Sequence, residues 1–273
     1  MTEPPNSTSA IAAFYDATVG AFGVLFDGCV HTGYWARGAE TFSRAQTDLT
    51  DLVLDAHDVP VDSRLLDLGS GQGGPAIHAA RRFGAYVLGV TLSGEQAAAA
   101  TAAAQETDVA KQVEFQVKDM RSTGLPDASF DGAYAMESVF HVPDKGAAFA
   151  EVFRVLKPGA ALSIADYHHL HDMSPEDDGI ATGMLAAAPL TPLDEWVSLL
   201  TGAGFESVEA RDISADVVRS GAAMREAVVE RREALTAVGG PEGYGMVGEA
   251  VAQYTRIYTE GQGFALFTAR KPA

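Results

Sequence analysis

A short apolar run, Leu65-Leu66-Asp67-Leu68, passes directly into Gly69-Ser70-Gly71-Gln72-Gly73-Gly74-Pro75. Glycine at such density lets the backbone take positive φ and lets a ligand approach main-chain atoms with no Cβ in the way. Proline right after the last glycine suits the first turn of a helix. A buried strand, a glycine turn and a helix in immediate succession mark a nucleotide-type cofactor site, and they commit this part of the chain to an α/β layer.

The rest of the pattern agrees. From residue 63 onward, short apolar runs alternate with alanine-rich helical stretches, the signature of parallel strands joined by crossover helices. Strands are expected near residues 64–68, 86–90, 113–117, 131–135, 160–165, 205–212 and 263–269. Pro75 and Gly84 bracket one helix, Leu156-Lys157-Pro158-Gly159 ends the helix that follows Pro143, and Thr191-Pro192-Leu193-Asp194 predicts another start with Thr191 as cap. Ahead of the sheet, residues 11–26 and 41–56 have helical apolar spacing and flank the aromatic, glycine-bearing segment 26–38. The connection 214–260 is far too long for a hairpin loop and contains a helical run over 217–235, so it predicts a lid.

Composition narrows the partners. A chain of 273 residues, 47% hydrophobic, can bury one core and a modest cap. Its formal charge of −18 disfavours phosphate backbones and anionic lipid. The expected partner is therefore a small molecule, with no nucleic acid and no membrane, and a homodimer is left open. The single cysteine, Cys29, excludes an intrachain disulfide and a thiolate zinc cluster and fits a reducing compartment. Residues 1–10 are polar, and no run of about 18 consecutive apolar residues occurs. A cytoplasmic location is expected.

The glycine turn alone fits two cofactors. Gly69, Gly71 and Gly74 satisfy the dinucleotide spacing G-x-G-x-x-G, while Asp67, Gly69, Gly71 and Gly73 satisfy the D-x-G-x-G-x-G of S-adenosylmethionine sites. The next strand ends Gly89-Val90-Thr91-Leu92-Ser93, without the acid that normally pairs with the ribose hydroxyls. Gln96 is the candidate substitute. It equally fits a capping box with Ser93.

Further segments follow in order: Asp119-Met120, Leu125-Pro126-Asp127-Ala128-Ser129-Phe130-Asp131, Met136-Glu137-Ser138, and Arg154-Val155-Leu156-Lys157-Pro158-Gly159. With the glycine turn and Gly89-Val90-Thr91-Leu92-Ser93, they make the chain resemble the class I S-adenosylmethionine-dependent methyltransferases over nearly all its length. His31-Thr32-Gly33-Tyr34-Trp35 and Val90-Thr91-Leu92-Ser93 resemble the branch of natural-product sugar O-methyltransferases of the rebeccamycin type. Sarcosine, tocopherol and prenyl-diphosphate methyltransferases and cyclopropane fatty-acid synthases are relatives of that branch.

The resemblance implies a Rossmann-like, seven-stranded doubly wound sheet with its last strand antiparallel. It is divided into a tail and cap helices (1–62), a cofactor-binding core (63–213), a lid (214–260) and a last strand (261–273). S-adenosylmethionine is the implied cofactor, with S-adenosylhomocysteine as product. Gly69 and Gly71 would lie under its methionine part, Thr91, Leu92 and Gln96 around the ribose and adenine, and Asp119 and Met120 beside the adenine ring. Asp67 organises the glycine turn, Met136 lines the methionine pocket or packs, and Tyr15, Thr32 and Tyr34 reach the cofactor if the amino-terminal helices close over the sheet.

Methyl transfer is an in-line displacement, in which the protein chiefly aligns the acceptor and excludes water. His141 falls just beyond the fourth strand and Asp166 at the end of the fifth, and neighbouring strands lie about 4.8 Å apart, so both side chains can face one pocket. The resemblance implies that His141 is the base for a hydroxyl and Asp166 its partner. An amine acceptor would relax that need. Phe140 stands where cyclopropane synthases carry a glutamate, which weakens a lipid-modifying activity. His168, His169, His171 and Asp172 form a second cluster, with a solvated loop as the default and no metal assigned. Trp196 is expected in the core. The expected product is an O- or N-methylated secondary metabolite, the alternatives being C-methylation of an isoprenoid or aromatic acceptor and a cyclisation with bound cofactor.

Overall fold

The computed structural model describes residues 7–171, 174–184, 187–260 and 262–273. Seven strands form one sheet: β1 (Arg64–Leu68), β2 (Tyr86–Thr91), β3 (Val113–Val117), β4 (Phe130–Met136), β5 (Leu156–His169), β6 (Glu206–Asp212) and β7 (Gln262–Arg270). Their order is β3-β2-β1-β4-β5-β7-β6, with β7 antiparallel to both neighbours. The order reverses direction between β1 and β4, which opens the crevice where ligands of such sheets bind.

Alternation along the strands supplies two cores. Leu65, Val87 and Tyr134 face one side with α2 (Phe42–Leu54) and α3 (Gly74–Phe83). Leu66, Leu68, Val90 and Ile164 face the other with α5 (Lys145–Val155) and α7 (Leu193–Gly202). Trp196 belongs to this second core, fully buried and stacked on Phe267 at 4.7 Å. The α4 helix (Gly94–Gln105) follows β2, and α6 (Pro175–Met184) precedes α7.

The strands fall where the apolar runs predicted, except that β5 is much longer. Its ladder with β7 continues to the pair His169 and Gln262, and at its other end the Lys157-Pro158-Gly159 segment is already strand rather than helix terminus. The pairing also moves the α7 start. Thr191 takes an amide hydrogen bond from His169, and Pro192 bridges to the same residue, so Pro192 itself is the extended cap with no side-chain capping bond.

A cap covers the carboxyl ends of the strands. It consists of α1 (Thr8–Phe26), α8 (Ser214–Val217), α9 (Arg219–Glu230) and α10 (Arg232–Glu260), and has a small core of its own around Leu25, Met224, Val228, Leu235 and Val251. By length and composition α1 is apolar enough to cross a membrane, with a mean hydropathy of 1.5. Here it packs on α4, α9 and α10. Its Asp16 carboxylate accepts from Ser93 Oγ at 2.5 Å and Glu95 N at 3.2 Å, tying it to the amino terminus of α4. The run predicted over 217–235 is divided between α9 and α10, and α10 itself breaks at Gly240 (φ 69°, ψ −178°), followed by Pro241.

Candidate active site

The cofactor cleft begins at the predicted glycine turn. Gly69, with φ +80°, is bare backbone because a Cβ there would stand 2.3 Å from Ser138 Cβ. Ser138 Oγ in turn donates to Leu68 O at 2.6 Å, holding the β4 end against the β1 end. Gly69, Gly71, Thr91, Leu92, Gln96, Asp119, Met120, Met136 and His141 line the cleft, together with Tyr15 of α1. The floor of unsubstituted backbone, the apolar Val90, Leu92 and Met120, and the polar Thr91, Gln96 and Asp119 among them fit the methionine chain and adenosine of S-adenosylmethionine.

Gln96 forms only half of the anticipated capping box, and its side chain lines the cleft. Ser93 Oγ accepts from Gln96 N at 2.9 Å as a helix cap, but the Gln96 side chain does not return the bond. Its oxygen accepts from Thr91 Oγ1 at 2.8 Å, leaving the amide nitrogen on the cleft side near Gly71. Asp119 is gripped by Arg121, whose Nη2 lies 2.7 Å from Oδ2. Burial acts to raise that carboxyl, but the Arg121 hydrogen bonds outweigh it and hold it below the usual range.

Four expected residues lie outside the cleft lining. Tyr34 is buried in the first core, with its amide on Ala45 O. Thr32 donates its amide to Glu137 Oε1 at 2.6 Å. Both are drawn away because the Gln46 side chain clamps Cys29 O and His31 O, seating their segment against α2. Asp67 is buried in β1 beside Tyr134, and burial pushes its carboxyl up to about 7.

Asp166 corrects the expected pairing. Its Oδ2 accepts the main-chain amides of Ser138, Val139 and Phe140 at 3.3, 2.8 and 3.2 Å, and Oδ1 that of Tyr167 at 2.8 Å. The carboxylate is consumed in fastening the turn Val139–His141, and no hydrogen bond joins it to the imidazole among the described residues. Burial raises Asp166 to about 6 against those amides. The group that meets His141 Nε2 is instead Tyr15 Oη, at 2.7 Å. Burial first, then the charges of Glu137 and Asp166, push that phenol above its ordinary range.

Beside the cleft lies a second cavity of about 450 Å³ between α1, α10 and the carboxyl ends of β4 and β5. Tyr15, Val30 and Glu137 line both spaces, whereas His141 lines only the cleft. Glu137 did not emerge as a site residue from the sequence. Its signal was a buried-strand motif, Met136-Glu137-Ser138, in which a carboxylate has no packing reason to sit. Away from the cleft, His168 Nε2 lies 3.4 Å from Asp212 Oδ2, and His169 is bound into the β5 edge. Asp172 lies outside the described residues, and among the described residues no group of three His, Cys, Asp or Glu side chains has metal-binding geometry.

A family model described as a methyltransferase domain matches residues 66–164, from β1 to β5. The (+)-O-methylkolavelool synthase of Herpetosiphon aurantiacus is 30% identical over 271 residues, 98% of this chain and 96% of that protein. The 27-O-demethylrifamycin SV methyltransferase of Amycolatopsis mediterranei is 35% identical over 223 residues, covering 78% of this chain and 79% of that protein. Among solved structures, the [4+2]-cyclase SpnF aligns with a TM-score of 0.82 and 27% identity over 98% of this chain and 97% of its own. The chain belongs to the class I S-adenosylmethionine-dependent methyltransferases. Within that class it stands with the methyltransferases of natural-product biosynthesis, and its cofactor is S-adenosylmethionine.

Proposed function

We propose that the protein methylates a hydroxyl group of a small secondary metabolite, with His141 as the base and Tyr15 as the relay to it. The observation that carries the proposal is the Tyr15–His141 contact at the boundary of the two cavities. S-adenosylmethionine supplies a methyl carbon on a sulfonium, open to in-line displacement by an oxygen nucleophile. An alcohol is a poor nucleophile until its proton leaves, and a positioned base contributes roughly 10²–10⁴-fold.

His141 does not line the acceptor cavity, but Tyr15 does. With Nε2 unprotonated, Tyr15 donates to His141 and keeps phenol lone pairs for the acceptor. As the acceptor oxygen gains carbon, its proton passes to Tyr15 Oη and the Tyr15 proton passes to His141 Nε2. The chain ends with a neutral phenol and a protonated imidazole. The supporting relatives are both named for oxygen methylation, which favours a hydroxyl over an amine.

The test is turnover with a panel of metabolite alcohols, read by S-adenosylhomocysteine formation and product mass. His141→Ala and Tyr15→Phe should each lower kcat by about 10²-fold or more, because the path needs both groups, with S-adenosylhomocysteine affinity within about threefold of wild type. Unchanged turnover in His141→Ala at saturating substrates would remove it as the base. The likeness to a [4+2]-cyclase favours a second reading, isomerisation of the acceptor with the cofactor retained. Product mass separates them: methylation adds one CH2, cyclisation leaves the mass of the acceptor unchanged.

A further inference from the structure

Glu137 is unused by the proton path, yet it sits at the boundary between cleft and cavity. It is the sole acid on the cavity wall among the described residues, and that wall carries no Lys or Arg. The remaining surface is largely apolar, with Phe14, Phe22, Phe140, Met224 and Val251 among its members. A phosphate, diphosphate or carboxylate would enter without a cation to meet it and with a carboxyl alongside, at a large desolvation cost. A volume of about 450 Å³ lies within the range of roughly 300–1,000 Å³ taken by pockets for drug-sized ligands.

The carboxyl is held by construction. Glu137 adopts φ 46°, in the left-handed region that non-glycine residues seldom occupy. Its amide donates to Ala165 O at 2.9 Å, its Oε1 accepts from Thr32 N at 2.6 Å, and its Oε2 accepts from Tyr167 Oη at 2.5 Å. Tyr167 Oη also meets Tyr254 Oη of α10. This carboxyl–phenol–phenol chain runs from the sheet to the cap along the polar end of an otherwise greasy cavity. An ionised carboxylate has about four acceptor positions, so the Thr32 and Tyr167 donors leave capacity for a ligand hydroxyl, and the protonated form can donate to its oxygen instead.

We infer that the cavity takes an uncharged, largely apolar alcohol, and that Glu137, backed by Tyr167 and Tyr254, grips the hydroxyl-bearing end of this acceptor at the mouth of the cofactor cleft. The inference deepens the methyl-transfer proposal, resting on it for which atom reacts but not for what the cavity binds. Three probes sharing one skeleton test it: radiolabelled farnesol, the hydrocarbon farnesene and farnesyl diphosphate, in equilibrium dialysis against protein saturated with S-adenosylhomocysteine. Wild type should bind farnesol at least about tenfold more tightly than farnesene, because a site built to hold a hydroxyl rejects the analogue that lacks it. It should bind the diphosphate about 100-fold more weakly than the alcohol.

In Glu137→Gln the alcohol's advantage over the hydrocarbon should shrink to within about threefold, measured at saturating S-adenosylhomocysteine. Tyr254→Phe, which removes one hydroxyl from a cap helix, should move selectivity the same way and serves if the first variant does not fold. Diphosphate binding as tight as alcohol binding, failure of wild type to retain farnesol, or full alcohol selectivity in folded variants would each overturn the inference. Failure of the methyl-transfer proposal shows differently, as retained alcohols that yield no methylated product.

Discussion

At the scale of single residues, the division of labour between Asp166 and Tyr15 decides how the site works. A carboxylate hydrogen-bonded to an imidazole raises its basicity, and removing it lowers the imidazole pKa. Asp166 spends its oxygens on main-chain amides instead, which directs its effect chiefly to the position of His141. Asp166→Ala should therefore lower kcat at every pH without moving the acidic midpoint of the kcat–pH profile. It should also cost roughly 2–4 kcal/mol of stability, since buried amides lose their acceptor. A downward shift of that midpoint by about one unit or more would return Asp166 to the partner role. Strand-end placement made His141 and Asp166 legible as neighbours. It could not show that the Val139–His141 turn presents its amides to the aspartate, because that is backbone conformation, and no side-chain pattern encodes it. Tyr15 was legible only as a candidate, since its partner lies 126 positions away.

Among the elements, the sheet and the cap differ in how far they could be read. Strands such as Leu65–Leu68 are continuous apolar runs because both faces are covered, and such runs stand out in any sequence. The cap helices pack as much on one another as on the core, and α10 reads as one segment with glycines and a proline where it is two joined by a bend. Gly240 makes that bend, in an extended conformation at positive φ that is open essentially to glycine alone. Val238 and Gly239 before the bend and Gly243 after it line the second cavity, the proposed acceptor site. Gly240→Ala should thus destabilise the protein by about 1–2 kcal/mol and raise the acceptor KM severalfold, while S-adenosylhomocysteine affinity stays within about twofold. Acceptor kinetics and calorimetric cofactor titration measure the two effects separately; equal loss of both would mean that the bend supports the whole cap.

For the whole molecule, two carboxyls buried in the sheet, Asp67 and Asp166, and a half-buried one just past β4, Glu137, have an ionisation coupled to folding. Burial raises Asp67 and Glu137 to about 7 and Asp166 to about 6, against roughly 4 for carboxyls in an unfolded chain. Between those limits the folded protein holds protons that the unfolded chain has released, so stability must fall as pH rises from about 4 to 7 and level off above. The net charge of −18 acts in the same direction, because acidification relieves self-repulsion. A falling melting temperature alone therefore does not assign the effect to the buried groups. Asp67→Asn separates them, since it deletes one titration and changes the total charge by a single unit. The stability of Asp67→Asn relative to wild type should rise between pH 5 and 8 by an amount on the order of a few kcal/mol, whereas the self-repulsion contribution is common to both proteins and cancels. Chemical denaturation at pH 5, 6, 7 and 8 measures the difference. Parallel curves would mean that Asp67 stays ionised in the folded protein, which requires a donor for Oδ2, an atom with no hydrogen-bond partner in its buried site beside Tyr134.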